Sequence, residues 1–164
     1  MDESAFQRAR DAMMPLPCAF EKALLAGACA CSLAARRNIA EREAVACGSP
    51  PAREECAALR TLLRQNSAFA LKLTQGAAPL PHAKEMKLQC GGLQGLQRAL
   101  AHAAALVPTA IGIAAEGQGM PSAANVRGLV QAAQEKFGGL QNLPYSTIVQ
   151  SVVAYQIRRR WKEQ

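Results

Sequence analysis

Met86, Leu93, Leu100 and Val107 recur at every seventh residue, and Leu96 and Ala103 fill the positions between them. An apolar stripe with that period lies on one face of a helix, so the spacing predicts a core-facing helix over 82–107. Pro108 ends it, because proline cannot continue the ladder. The stripe persists despite Gly91, Gly92 and Gly95, which follow Cys90 within five residues. Glycine inside a helix marks a place where a backbone must approach something closely.

The rest of the apolar content points the same way. Half of the 164 residues are hydrophobic, but only seven are aromatic; alanine and leucine carry most of that count. Such a core favours closely packed helices over sheets, which prefer β-branched and aromatic side chains. The expected fold class is all-α, an up-and-down helical bundle of four to six helices in a single domain over residues 1–164.

Proline and glycine divide the chain. A short helix is expected over 3–13, stopping before "PLP". Residues 18–46 read as one long helix ended by Gly48. Ser49 is a good cap for the next helix, with Pro50 and Pro51 in its first turn and Glu54 and Glu55 suiting its positive end. That helix is expected over 51–75, with an apolar stripe of Ala52, Cys56, Leu59, Leu63, Ala70 and Leu73 interrupted at Asn66. "TAIGIAAEGQGMP" has no period and reads as an ordered loop or a short extended piece. Helices are expected over 122–137, stopping at Gly138 and Gly139, and over 145–162, entered through Pro144.

The chemistry of this chain turns on six cysteines. The N-terminus, "MDESAFQRAR", has two acids and no apolar core of a secretory signal. No uninterrupted apolar run reaches the ~18–20 residues of a membrane-spanning helix. The expectation is a soluble, cytoplasmic protein with no membrane partner, whose thiols are free, metal-bound or redox-active rather than a disulfide framework.

Helix geometry limits which thiols can meet. At about 100° per residue, Cys18, Cys29 and Cys47 share one face of a continuous helix, within roughly 20°. Cys31 lies roughly 200° from Cys29, so a straight helix cannot aim both at one metal; a break between Gly27 and Ser32 could. The spacing C-x-C-x15-C-x8-C from Cys29 to Cys56 looks like a four-thiolate site. On straight helices, however, a rise of about 1.5 Å per residue puts Cys29 and Cys47 about 27 Å apart. Folding the helices as antiparallel hairpins brings Cys90 level with Cys29 and Cys31, and sets Cys47 and Cys56 beside the first turn. The candidate ligands are therefore Cys29, Cys31 and Cys90, with Cys47 and Cys56 next; a broken first helix could merge the two groups into one cluster. Cys18 comes last, about 16 Å from Cys29 along the helix.

Soft thiolates select iron–sulfur clusters, zinc or Cu(I). Histidine is confined to His82 and His102, which counts against haem, catalytic zinc and di-iron carboxylate sites. No C-x2-C pair or paired histidines mark a zinc finger. The expected function is cysteine-thiolate metal binding, an iron–sulfur cluster first, in electron transfer, redox sensing or cluster delivery, with no catalytic residues assigned. Buried structural thiols and a thiol redox role are the competing readings, because free cysteine also behaves as a small hydrophobe.

Charge offers another class of function. Residues 1–80 hold ten Lys/Arg against eight Asp/Glu, and residues 81–164 hold nine against four, with "RRRWKEQ" at the end. That basic half suits an acidic partner: a redox or acidic protein, with nucleic acid less favoured. A metal-free helical interaction module is the alternative function. The bland reading of the basic tail is cations complementing a helix C-terminus.

Overall fold

Asp2 opens the fold as a helix cap, its carboxylate accepting the Ala5 N–H at 2.6 Å and the Ser4 hydroxyl at 2.8 Å. Helix α1 follows over Glu3–Met13, as its sequence predicts. The computed structural model describes residues 2–76, 78–105 and 125–157. The expected loop over 109–121, the ends of the helices expected to reach 107 and 162, the start of the one expected at 122, and the basic tail lie outside the described residues.

The long helix expected over 18–46 is replaced by a helical turn and a β-hairpin. α2 spans only Glu21–Leu25, and Gly27 leaves the helix at φ +72°, a backbone that glycine adopts without steric cost. Strands β1 (Ala34–Ile39) and β2 (Arg42–Cys47) then pair antiparallel, from Ala34 opposite Cys47 to Ile39 opposite Arg42. The turn between them is Ala40 and Glu41, with Ala40 at φ +54°.

Tertiary contacts explain the switch. Glu21 accepts hydrogen bonds from Arg10 and from the Val45 N–H, tying α2 to α1 and to β2. Arg36 donates to the Leu24 carbonyl at 3.1 Å. Ile39 and Ala44 pack with Phe6 and Met14 under α1, while Val45 enters the main core. Burying a valine or isoleucine side chain contributes about 1.5–3 kcal/mol, against helix preferences of a few tenths of a kcal/mol per residue. The protein is thus mostly helical with a small antiparallel sheet, and not purely all-α.

Helix α3 (Pro50–Ser67) starts where its sequence says, with the Ser49 hydroxyl accepting the Ala52 N–H. Its stripe buries Ala52, Cys56, Leu59 and Leu63. It ends earlier than expected, because the chain curls back through Leu71 N–H to Ser67 O and Leu73 N–H to Ala68 O, and Lys72 adopts φ +54°. Ala70 is therefore exposed and Leu73 only half-buried. Glu54 and Glu55 do not lie in the first turn's cap; Glu55 pairs instead with Arg127.

The heptad stripe does form a helix, in three pieces: α4 (His82–Met86), a π-turn (Lys87–Gly91) and α5 (Gly92–Ala105). Met86, Leu93 and Leu96 are buried; Leu100 is half-buried and His102 is exposed. What Gly91 and Gly95 approach is α7 (Tyr145–Ala154), while Gly92 faces the Leu63 side chain of α3. A Cβ on Gly91 would lie 2.6 Å from Val152 Cα, and one on Gly95 would lie 3.0 Å from Ile148 Cα. "QCGGLQGL" is therefore a helix-seating motif. α7 ends at Ala154, and residues 155–157 do not continue it.

Helix α6 (Val126–Phe137) stops at Gly138 and Gly139, both at positive φ, as predicted. A buried polar link crosses the helices. Arg60 makes two 2.7 Å hydrogen bonds to Glu85, Gln89 donates to Glu85, and Gln89 accepts the Ala23 N–H. Among the described residues, no helix is long and apolar enough to cross a membrane.

Candidate functional site

Strand β2 assembles the site. The Cys18 N–H donates to Val45 O at 2.9 Å and the Cys47 N–H donates to Leu16 O at 2.8 Å, so the "PLPC" segment runs along β2 as an extra bridge. Cys47 ends β2 opposite Ala34, and the Ala34 N–H donates to Cys31 O. Ser49 then starts α3 and sets Cys56 in its second turn. Four segments distant in sequence thus deliver Cys18, Cys31, Cys47 and Cys56 to one cavity.

The cavity is small, ≈ 20 Å³ of space for water-sized centres, enough for about one water. Its remaining walls are mainly apolar, with Arg53 and Arg127 among the lining residues. Arg53 donates to Pro17 O at 3.2 Å, and Arg127 pairs with Glu55. The Cys47 thiol donates to Ser49 O at 3.3 Å. Asn125 and Val126 fasten the Cys31 segment: the Val126 N–H donates to Ala30 O and the Ser32 N–H donates to the Asn125 side chain.

Electrostatics tie the four thiols together. Burial first, then the neighbouring Cys31 and Cys47, pushes the Cys18 thiol up to about 11. Burial pushes the Cys56 thiol up to about 12, with Cys18, Cys31 and Cys47 adding to it and Arg127 opposing. Removing a proton from either is hard unless a cation takes its place, which is how a thiolate-held metal works.

Cys29 and Cys90 occupy the packed core beside this group. They are 6% and 2% exposed, and burial raises both thiols, Cys29 to about 12. Cys29 feels Cys90 most strongly, then Cys18 and Cys31. A hydrogen bond involving Tyr155 partly offsets the effect at Cys90.

The sequence expectation set Cys29, Cys31 and Cys90 in one group and Cys47 and Cys56 in another. The fold keeps Cys29 near Cys90 and Cys47 near Cys56, but moves Cys31 to the second pair. Cys18, ranked last on a straight helix, joins them because the helix does not exist. The signal that could have found it is the "PLPC" stretch, whose two prolines favour an extended chain able to lie along a strand.

Among the described residues, no three or more His, Cys, Asp or Glu side chains are arranged to hold a metal ion as they stand. The thiols border a shared cavity without closing on one point. Three of them lie outside regular helix, on a pre-helix turn, an irregular segment and a strand end. Comparisons with protein-family models, with curated proteins and with solved structures find no match to this chain.

Proposed function

We propose that this protein binds a thiophilic metal centre through Cys18, Cys31, Cys47 and Cys56, an iron–sulfur cluster first and zinc or Cu(I) as alternatives. The observation that carries the reading is the convergence of four thiols from four separate segments on one cavity. Four soft ligands without a nearby histidine suit these metals. Arg53 and Arg127 among the lining residues would offset the negative charge that four thiolates bring.

Either guest requires adjustment. A single ion needs the thiols to draw in; a cluster needs the cavity to widen. The cluster stands first because the thiols are spread around the cavity, and three of the four sit on segments free of helical hydrogen bonding. Such a centre would serve electron transfer, redox sensing or cluster delivery. A nucleophilic thiol enzyme is less well supported, since Cys18, Cys29, Cys56 and Cys90 are all held towards the neutral thiol.

The test is an absorption spectrum of protein purified without oxygen, with iron, zinc, copper and sulfide measured on the same sample. Stoichiometric iron and sulfide with a broad brown absorption identify a cluster. Stoichiometric zinc or copper without sulfide identifies a single-metal site. A folded protein that carries no metal, and takes up none from ferrous iron with sulfide, zinc or Cu(I), would sink the proposal.

A further inference from the structure

A second concavity, far larger than the cysteine cavity, lies on the other end of α3. It encloses ≈ 590 Å³ between the outer face of that helix and the returning chain, and shares no lining residue with the cysteine cavity. Arg60, Thr61, Arg64 and Gln65 line it from the helix, and Thr74 and Gln75 from the return. Arg64 straps the two sides together, donating to Gly76 O at 2.9 Å and to Ala78 O at 2.7 Å.

The groove is positive. Residues 56–84 contain Arg60, Arg64, Lys72 and Lys84 but no Asp or Glu. Arg60 is neutralised by the buried Glu85, which comes from outside that stretch. Arg64 spends its hydrogen bonds on carbonyls, which leave its charge uncompensated. Lys84 likewise donates to a carbonyl, that of Lys72. Among the described residues, no carboxylate lines the groove.

Next to Ala68, which lines the groove, stands Phe69, 97% exposed. A phenylalanine left wholly in water forgoes the gain of burial, and aromatic side chains are frequent anchors where proteins meet. Hydroxyl and amide side chains on both walls provide donors and acceptors for a peptide backbone.

We infer that this groove docks an acidic peptide segment of a partner protein, its carboxylates meeting Arg64 and an adjacent apolar residue covering Phe69. Nucleic acid fits less well. Base binding along a strand uses a row of aromatic platforms and several phosphate-binding cations. Among the described residues, this groove has one aromatic next to it in sequence and one uncompensated arginine in it. The inference is independent of any metal at the cysteine cavity.

Panning a random-peptide display library against the full-length protein tests it. The expected result is enrichment of peptides with Asp or Glu next to a large apolar residue. Binding of the enriched peptides, read by fluorescence anisotropy, should weaken about tenfold or more in Thr61→Glu and in Gln65→Glu, which put a carboxylate into the groove at exposed positions. Phe69→Ala should weaken it several-fold. These positions carry no core packing, so the variants keep the fold. No enrichment of acidic peptides overturns the inference, as does binding to both Glu variants that is as tight as to the wild type. A single-stranded oligonucleotide that binds tighter than every selected peptide also overturns it, in favour of nucleic acid.

Discussion

The cysteine cavity beside the hairpin and the seam between α5 and α7 are built from similar ingredients, yet they end in opposite states. Both join cysteine to small residues. At the seam, Gly91 and Gly95 let two helices touch backbone to backbone, and Cys90 is packed at 2% exposure. At the hairpin, the chain leaves helix at Gly27, and the extended segments that follow meet around a gap edged by thiols. The difference teaches that a cysteine next to glycines says nothing by itself about chemistry. What matters is whether the neighbouring backbone closes the space or leaves it.

The strongest way to break this contrast is to remove thiols from each region in turn. If the proposed metal centre is held there, alanine at Cys18, Cys31, Cys47 or Cys56 should lower metal affinity by at least about a hundredfold, since outer-shell changes alone cost ten- to a hundredfold. Alanine at Cys90 should leave metal content unchanged and cost only stability. Metal analysis of the five purified variants decides it. Loss of metal from Cys90→Ala with retention in Cys18→Ala would reverse the two regions' roles.

Next in size is the seam itself. Gly91→Ala puts a methyl group against the Val152 and Ser151 backbone, which has no flexible end to yield. We expect a loss of about 3 kcal/mol in denaturant unfolding. Gly27→Ala meets nothing within 4 Å and suffers only from its positive φ, so its cost should be about 1 kcal/mol. Equal costs would mean that the seam is looser than described.

The Arg60–Glu85–Gln89 link joins α3 to α2. Burial pushes the Glu85 carboxyl up, but the hydrogen bonds from Arg60 and Gln89 and the Arg60 charge outweigh it, so its pKa lies below the usual value. A carboxyl depressed in the folded state stabilises the fold fully above its unfolded pKa, near 4.5. That stabilisation is lost as pH falls through the folded pKa. Glu85→Gln should therefore cost about 2 kcal/mol at neutral pH, and the gap from the wild type should shrink as pH drops below that range. A gap that stays constant between pH 7 and 3 would show that the pair contributes packing rather than charge.

The smallest effect belongs to the hairpin turn. Ala40 sits at φ +54°, where an alanine is strained and a glycine is not. Ala40→Gly should leave metal binding alone and raise stability by up to about 1 kcal/mol, the relief of strain being partly offset by the greater freedom of the unfolded chain. A thermal melt at lower temperature than the wild type would argue against the turn as placed.

These regions also differ in how far they could be read in advance. The seam helix was legible because its stripe repeats every seven residues over a long window, and such a pattern survives a π-turn and three glycines. α3 was legible at its start because Ser49, Pro50 and Pro51 act locally, through a cap and a fixed φ. Its end was not, because Lys72 reverses the chain at a residue with no preference for positive φ. The hairpin was hidden for a related reason. Its turn, "AE", lacks the glycine or asparagine that marks a two-residue turn. Its strands bury residues in adjacent pairs, as at Ala44 and Val45, so no period of two appears. Alanines and arginines there read as helix until α1 and α2 are in place to bury Ile39 and Val45.

The sequence by itself determined where helices begin at strong caps, which face of α3 and α5 is buried, and that any thiolate site must be made from these six cysteines, because those features act through neighbours a few residues away. Only the tertiary structure decided which thiols share a cavity. Cys18, Cys31, Cys47 and Cys56 belong to four segments whose contacts are made by strand pairing and by the Asn125 bridge, and long-range pairing leaves no periodic trace in the chain that forms it.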